Sequence, residues 1–181
     1  MTFKTATLLA LETAHRAQTL SLIKINNIQI CKDGFLISIT DRIKTSGVNK
    51  SQPTLVINKN DNIKRCPVEI LKCYLDKTLS IRNAILNLFL TFKKPCHAAT
   101  SQSISRWIKH VLDLSGIDTT VYTAHSTRHA STSAAFRKGV SLEVIKKTAS
   151  WSVQSTTFSR FYNKPLIEEK KPFSKAVLGK V

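Results

Sequence analysis

The sequence predicts a mainly α domain that carries a small antiparallel β-sheet near its N-terminal third, an α+β architecture. Three observations predict it. The chain has 181 residues, 42% of them hydrophobic and 22% charged, enough for one ordinary core and too apolar for a disordered chain. Isoleucines recur at Ile23, Ile25, Ile28 and Ile30, and Phe35, Ile37 and Ile39 then keep a period of two, as in half-buried strands. Three later stretches space their apolar residues three and four apart, the pattern of a helix with one buried face.

The opening segment, with Leu8, Leu9, Leu11 and Leu20, is helix-compatible and ends near Arg16 to Ser21. Residues 21 to 46 then read as strands, with Asp33-Gly34 as the hairpin signal. Gly47 breaks the pattern, and PTLVIN makes a third short strand. Pro67 opens a helix through VEILKCYLDKTLSI, with Val68, Leu71, Tyr74 and Leu75 on one face. LFLTF is a short apolar piece ended by Lys93, Lys94 and Pro95. A helix follows from Ser101, taken as its cap, to Leu114, with Gly116 as its stop. His125 to Lys138 makes the next helix, ended by Gly139, and Ser141 starts another. A last segment around Phe158, Phe161 and Tyr162 runs into Pro165, and the mixed-charge tail beyond it is expected to be loosely ordered.

Charge gives the first functional clue. Lysine and arginine total 28 against 11 acids, a net charge of +17, and the pI is near 10.1. Self-repulsion on that scale favours a polyanionic partner. The basic residues recur in short groups such as Lys93-Lys94 and Lys146-Lys147, as on a folded surface that tracks a phosphate backbone. No apolar run reaches the roughly eighteen residues of a membrane span. Glu12 and His15 interrupt the apolar start, which reads as a helix of the mature fold and not as a signal peptide. Cys31, Cys66, Cys73 and Cys96 form no CxxC pair and no zinc-ligand spacing with histidine, so neither a structural metal nor a disulfide is expected. They suit a reducing, intracellular compartment, nuclear or cytoplasmic.

The most informative stretch is TAHSTRHASTSAAFRKG, residues 123 to 139. His125 and Arg128 stand three apart, so on a helix both project from one face. Ala130, Ala134, Ala135 and Phe136 supply packing, which leaves a polar helix start where free backbone N–H groups add to Arg128 in holding an anion. Downstream come LEVIKKTASWS, then Ser155-Thr156-Thr157, then Arg160-Phe161-Tyr162. This ordering resembles the tyrosine recombinases of the phage-integrase type, in which His-x-x-Arg on a helix precedes a short helix, a Gly-His or Gly-Trp step and a nucleophilic tyrosine. His125, Arg128, Trp151 and Tyr162 fall on those positions in order. The wording HSTRHASTSAAFRKGV and FSRFYNKP resembles most the proteins of eukaryotic tyrosine-recombinase retrotransposons.

The resemblance extends upstream. Thr13 to Leu20 resembles the segment that carries the family's first catalytic arginine, which points to Arg16. Asp41 to Gly47, after two strands, resembles the hairpin turn with the catalytic lysine, which points to Lys44, with Lys50 in reserve. The likeness covers about residues 5 to 165. It implies the tyrosine recombinase catalytic-domain fold over 1-165, a tail at 166-181 of the kind passed to a neighbouring protomer, and no N-terminal core-binding domain in this chain.

What the resemblance implies chemically follows from the residue types. A phosphodiester gains charge in its pentacovalent transition state, and Arg16 and Arg128 would hold its non-bridging oxygens. Tyr162, a weak nucleophile at neutral pH, would attack phosphorus and form a 3′-phosphotyrosine, with His125 taking or relaying its proton. Lys44 would protonate the departing 5′ oxygen, and Trp151 would pack and offer its indole N–H. The phosphotyrosine conserves the bond energy, so no cofactor is needed. The implied function is DNA recombination or integration for a mobile element, on double-stranded DNA, as a tetramer. The alternatives are a DNA-binding remnant without turnover and, further off, a type IB topoisomerase-like enzyme.

Four positions depart from the family pattern. Ala14 and Ser150 stand where glycine is common, and Thr19 stands where an acid often braces the first arginine. Tyr162 follows Trp151 by eleven residues, a slightly long step. His15 and His129 read as incidental.

Overall fold

The computed structural model describes residues 1–44, 46–47, 52–152, 154–156 and 158. Its elements in chain order are α1 (Thr2–Thr13), α2 (Ala17–Ser21), β1 (Ile28–Cys31), β2 (Gly34–Ser38), β3 (Thr54–Asn58), α3 (Pro67–Thr78), α4 (Ser101–Leu114), α5 (Ser126–Arg137) and α6 (Leu142–Thr148). The mainly helical architecture with one three-stranded antiparallel sheet, ordered β1-β2-β3, agrees with the sequence reading. No helix among the described residues is long and apolar enough to cross a membrane.

The sheet follows its sequence pattern with one shift. Residues 25–27 form a 3-10 turn, so the first strand starts only at Ile28. Cys31 pairs with Gly34, which makes Lys32 and Asp33 the turn and puts Gly34 inside β2. Glycine is required there by proximity, because a Cβ on it would meet the Ile57 carbonyl oxygen at 1.8 Å. Alternation then holds in β3, where Leu55 and Ile57 are buried and Thr54, Val56 and Asn58 exposed. Ile30, at 77% exposed, lies outside the core that its sequence pattern suggested.

The main core joins Leu9 and Ala10 of α1, the inner sheet face, Leu71 and Tyr74 of α3, and Ile104, Trp107 and Ile108 of α4. The buried face of α1 is built as much from threonine as from leucine. Thr5, Thr7 and Thr13 are buried and donate their hydroxyls to the carbonyls of Met1, Phe3 and Leu9, which satisfies them without an outside partner. Leu11 is exposed. A smaller cluster centres on Ile145 and Phe158, with Ala135, Leu142 and Trp151 against them.

Thr100, not Ser101, caps α4, accepting the Ser103 N–H at 3.2 Å. Ser141 caps α6 as the sequence suggested, accepting from Val144 N–H. Gly116 and Gly139 take left-handed φ values of 74° and 84° just past α4 and α5. At each, the next two N–H groups bond back to the last turn (Gly116 to Asp113, Ile117 to Leu112; Gly139 to Phe136, Val140 to Ala135), the Schellman arrangement.

Candidate functional site

Arg16 is placed by the break between α1 and α2. The Thr13 hydroxyl donates to the Leu9 carbonyl at 2.7 Å and accepts the His15 N–H at 3.3 Å. Ala14 turns left-handed at φ 52°, and Arg16 returns to extended backbone as the N-cap of α2, its carbonyl accepting from Leu20 N–H. This sharp turn sends His15 inward, 4% exposed, and leaves Arg16 half-buried. The Arg16 guanidinium has no hydrogen-bond or ion-pair partner among the described residues.

Lys44 sits in the connection between β2 and β3. The start of that connection is held by an ion pair of Lys24 with Asp41 at 2.9 Å. Ile43 is buried, its N–H donates to Ser46 Oγ at 2.8 Å, and Ser46 N–H returns to the Ile43 carbonyl at 3.0 Å. Lys44 thus has an anchored backbone and an exposed side chain. Lys50 lies outside the described residues.

Arg128 comes from the first turn of α5 and is only 1% exposed. Its Nη1 donates to the Ala14 carbonyl at 2.7 Å and its Nη2 to the Ala149 carbonyl at 2.6 Å. Those are the cap carbonyls of α1 and α6, where a cation also meets the negative helix ends. Charge-assisted bonds of this kind contribute about 1.5–3 kcal/mol each. Trp151 lies with its ring centroid 4.6 Å from the Arg128 Cζ, a stacked cation–π contact. The turn that presents Trp151 is a third Schellman motif: Ser150 N–H bonds to the Lys147 carbonyl and Trp151 N–H to the Lys146 carbonyl. Its left-handed residue is Ser150, at φ 51°.

These segments meet at one small cleft. His15, Arg16, Gln18, Thr19, Ile43, Lys44, Arg128, Ala149 and Ser150 line it, and its cavity volume of about 10 Å³ admits one oxygen-sized group. The lining holds three cations and an imidazole and no carboxylate. Burial, reinforced by the positive fields of Arg128 and Arg16, pushes the His15 pKa down to about 4 despite a hydrogen bond to the Thr148 backbone. His125 lies at the edge of the same field. Its pKa is lowered first by partial burial and then by Arg16, Arg128 and His129. A site so charged attracts an anion, and each neutral imidazole avoids adding one more positive charge.

Three expectations change. His125 and Arg128 do not share an exposed face: His125 is the exposed N-cap of α5, and Arg128 points into the interior. The buried face of α5 is Thr127, Arg128, Thr132 and Ser133, whereas Ala130 and Phe136 are exposed. Three backbone donors at the helix start are already taken. His125 N–H bonds to Thr123 Oγ1, Ser126 N–H to the Thr123 carbonyl and Arg128 N–H to the His125 carbonyl. Arg16, Lys44 and Arg128 line the cleft, whereas residues 125–127 at the helix start do not. Arg16, Lys44 and Arg128 are brought together, with Trp151 stacked on the last. Tyr162 and the tail at 166–181 lie outside the described residues. His15 and Ser150 are additions, with His15 Nε2 3.3 Å from Ser150 Oγ. The readable signal for Ser150 was a side chain where the family pattern has glycine; for His15 the sequence held none.

Fold and cleft define a mostly helical domain with an anion site assembled from widely separated segments. The family model described as "Phage integrase family" matches residues 1–168, and the chain belongs to that family. Among solved structures, the XerA recombinase has a TM-score of 0.69 at 18% identity, covering 99% of this chain and 58% of that one. The XerH site-specific recombinase bound to difH substrate, in a pre-cleavage complex, has a TM-score of 0.66 at 15% identity, covering 98% and 46%. The lambda integrase catalytic core has a TM-score of 0.52 at 17% identity, covering 86% and 82%. This chain thus spans about half the length of the two Xer proteins. No curated protein matches.

Proposed function

We propose that this chain is the catalytic domain of a tyrosine recombinase that cleaves and rejoins double-stranded DNA through a 3′-phosphotyrosine on Tyr162. The observation that carries the reading is the cleft, where Arg16, Lys44 and Arg128 converge with no acid among the lining residues. A phosphodiester oxygen is the size and charge it suits. Arg16 and Lys44 have uncommitted donors for it. Arg128 donates from Nη1 and Nη2 to carbonyls, which fixes its positive charge at the cleft wall. His125 serves as proton acceptor or relay, its lowered pKa keeping it neutral at pH 7. Lys44 is the general acid, and Trp151 fixes the Arg128 plane.

Further support is by analogy. The lambda integrase has been captured as a tetramer on a Holliday junction, and the Tn1549 transposon integrase with circular-intermediate DNA. By that analogy the chain works on DNA as a homo-oligomer for a mobile element, with residues 1–165 as the catalytic domain and 166–181 passed between protomers. The wording around His125 and Tyr162 favours a retrotransposon of the eukaryotic tyrosine-recombinase kind, and hence a nuclear site of action. No metal or nucleotide cofactor takes part.

The test is a suicide-substrate assay on nicked DNA carrying candidate sites. Wild type should give a denaturation-resistant protein–DNA adduct, and Tyr162→Phe should give none while binding DNA equally. Equal behaviour of both proteins, with salt-sensitive binding and no adduct, would instead assign a DNA-binding remnant.

A further inference from the structure

We propose that His15 and Ser150 form a latch that positions Arg16 toward the bound phosphate, which makes His15 a positioning residue of the cleft. The inference rests on the reading of that cleft as a DNA-phosphate site. His15 directly precedes Arg16, is 4% exposed, and reaches from the turn after α1 to the end of α6. There its Nε2 lies 3.3 Å from Ser150 Oγ, and the ring also bonds to the Thr148 backbone. Two cross-links therefore join the α1–α2 turn to the α6 turn. One is Arg128, through the Ala14 and Ala149 carbonyls; the other is His15.

The two links differ in what they hold. Arg128 grips backbone on both sides. His15 grips the far side alone and is itself the neighbour of Arg16, so its grip sets the direction in which Arg16 leaves the chain. Arg16 has no other tether among the described residues. The charged groups that face the ring are Arg16 and Arg128, with Lys44 across the cleft and no acid in the lining. A neutral ring braces Arg16 there without adding to the repulsion, which a lysine or arginine at this position would do. Ser150 accepts a left-handed backbone at φ 51°, where glycine is easier, and its hydroxyl is what glycine would forgo.

The experiment is binding of the full chain to a fluorescent duplex over a salt series, for wild type, Arg16→Gln, His15→Ala, His15→Gln, Ser150→Gly and the doubles with Arg16→Gln. Arg16→Gln should weaken binding and reduce the salt slope by about one, as loss of one phosphate contact does. His15→Ala should weaken wild type by about tenfold, the scale of one lost hydrogen bond to a positioned charge. It should reduce the slope equally and cost less than about twofold more in the Arg16→Gln background. His15→Gln, which keeps a polar group at the Nε2 position, should recover most of the loss. A His15→Ala loss that adds in full to that of Arg16→Gln, or that leaves the salt slope unchanged, overturns the latch. If His15→Ala does not fold, Ser150→Gly decides by the same non-additivity. An unchanged affinity and slope for Arg16→Gln would overturn the phosphate-site reading itself, which separates that failure from failure of the latch.

Discussion

Among the described residues, α1, α4, α5 and α6 each run into a left-handed residue, and these four ends fall into two pairs. Past α4 and α5 the residue is glycine, Gly116 and Gly139, with nothing within 4 Å of where a Cβ would sit. Past α1 and α6 it is Ala14 and Ser150, and both of these turns line or brace the cleft. The backbone task is the same in each pair, but L side chains at such φ cost about 1 kcal/mol. Among these four turns, a side chain takes the left-handed position only at the cleft; the other described non-glycine residue with such a φ is Asn83, at 47°, after the 3-10 turn at 79–81. The carbonyls of Ala14 and Ala149 bind Arg128, and the Ser150 hydroxyl meets His15. Local strain at a site is sustained by contacts from elsewhere in the fold.

Removing those contacts should break the comparison most sharply. Arg128→Ala leaves two cap carbonyls without their charged donor and is expected to destabilise by on the order of 4 kcal/mol, read from urea unfolding. A loss under about 1 kcal/mol would mean that the strained turns hold themselves. The next effect is acid sensitivity. With His15 near pKa 4 in the fold and about 6.5 unfolded, protons bind the unfolded chain first. Stability is then flat above pH 6.5 and falls by on the order of 3 kcal/mol between pH 6.5 and 4. His15→Gln should flatten most of that slope, leaving a remainder from His125, whose pKa is lowered in the same direction. An unchanged slope in the variant would move the acid sensitivity elsewhere.

The smallest effects sharpen the contrast between the pairs. Gly116→Ala and Gly139→Ala should each cost about 1 kcal/mol from backbone strain alone, since their surroundings are open. Ser150→Gly should change stability by less than about 0.5 kcal/mol, because relief of φ offsets the lost bond to His15. A large gain from Ser150→Gly would show that its hydroxyl contributes nothing. All three are readable in one set of denaturant melts.

Much of the fold could be read along the chain because its cues are local. Pro67 at the first position of α3, Gly116 and Gly139 past α4 and α5, Ser141 as the cap of α6 and the alternation in β3 each act within a turn or a strand. Local cues also misled where two neighbours compete for one role. Thr100 took the cap expected of Ser101, and Gly34 entered the strand because Ile57 crowds it.

At the cleft, the resemblance to the tyrosine recombinases pointed to Arg16, Lys44, His125, Arg128 and Trp151, and phosphate chemistry explains why fixed cations and their neighbours are wanted there. Burial was not readable in that way. Arg128 follows His125 by three residues and yet faces inward, because the carbonyls that want it arrive from residues 14 and 149. His15 gained its partner across 135 positions of sequence, a distance over which no periodicity carries information. Identity and spacing set which groups this chain has to offer. Which of them are desolvated, paired or left free toward an anion was settled by packing, because dielectric and hydrogen-bond geometry depend on neighbours that only folding brings near.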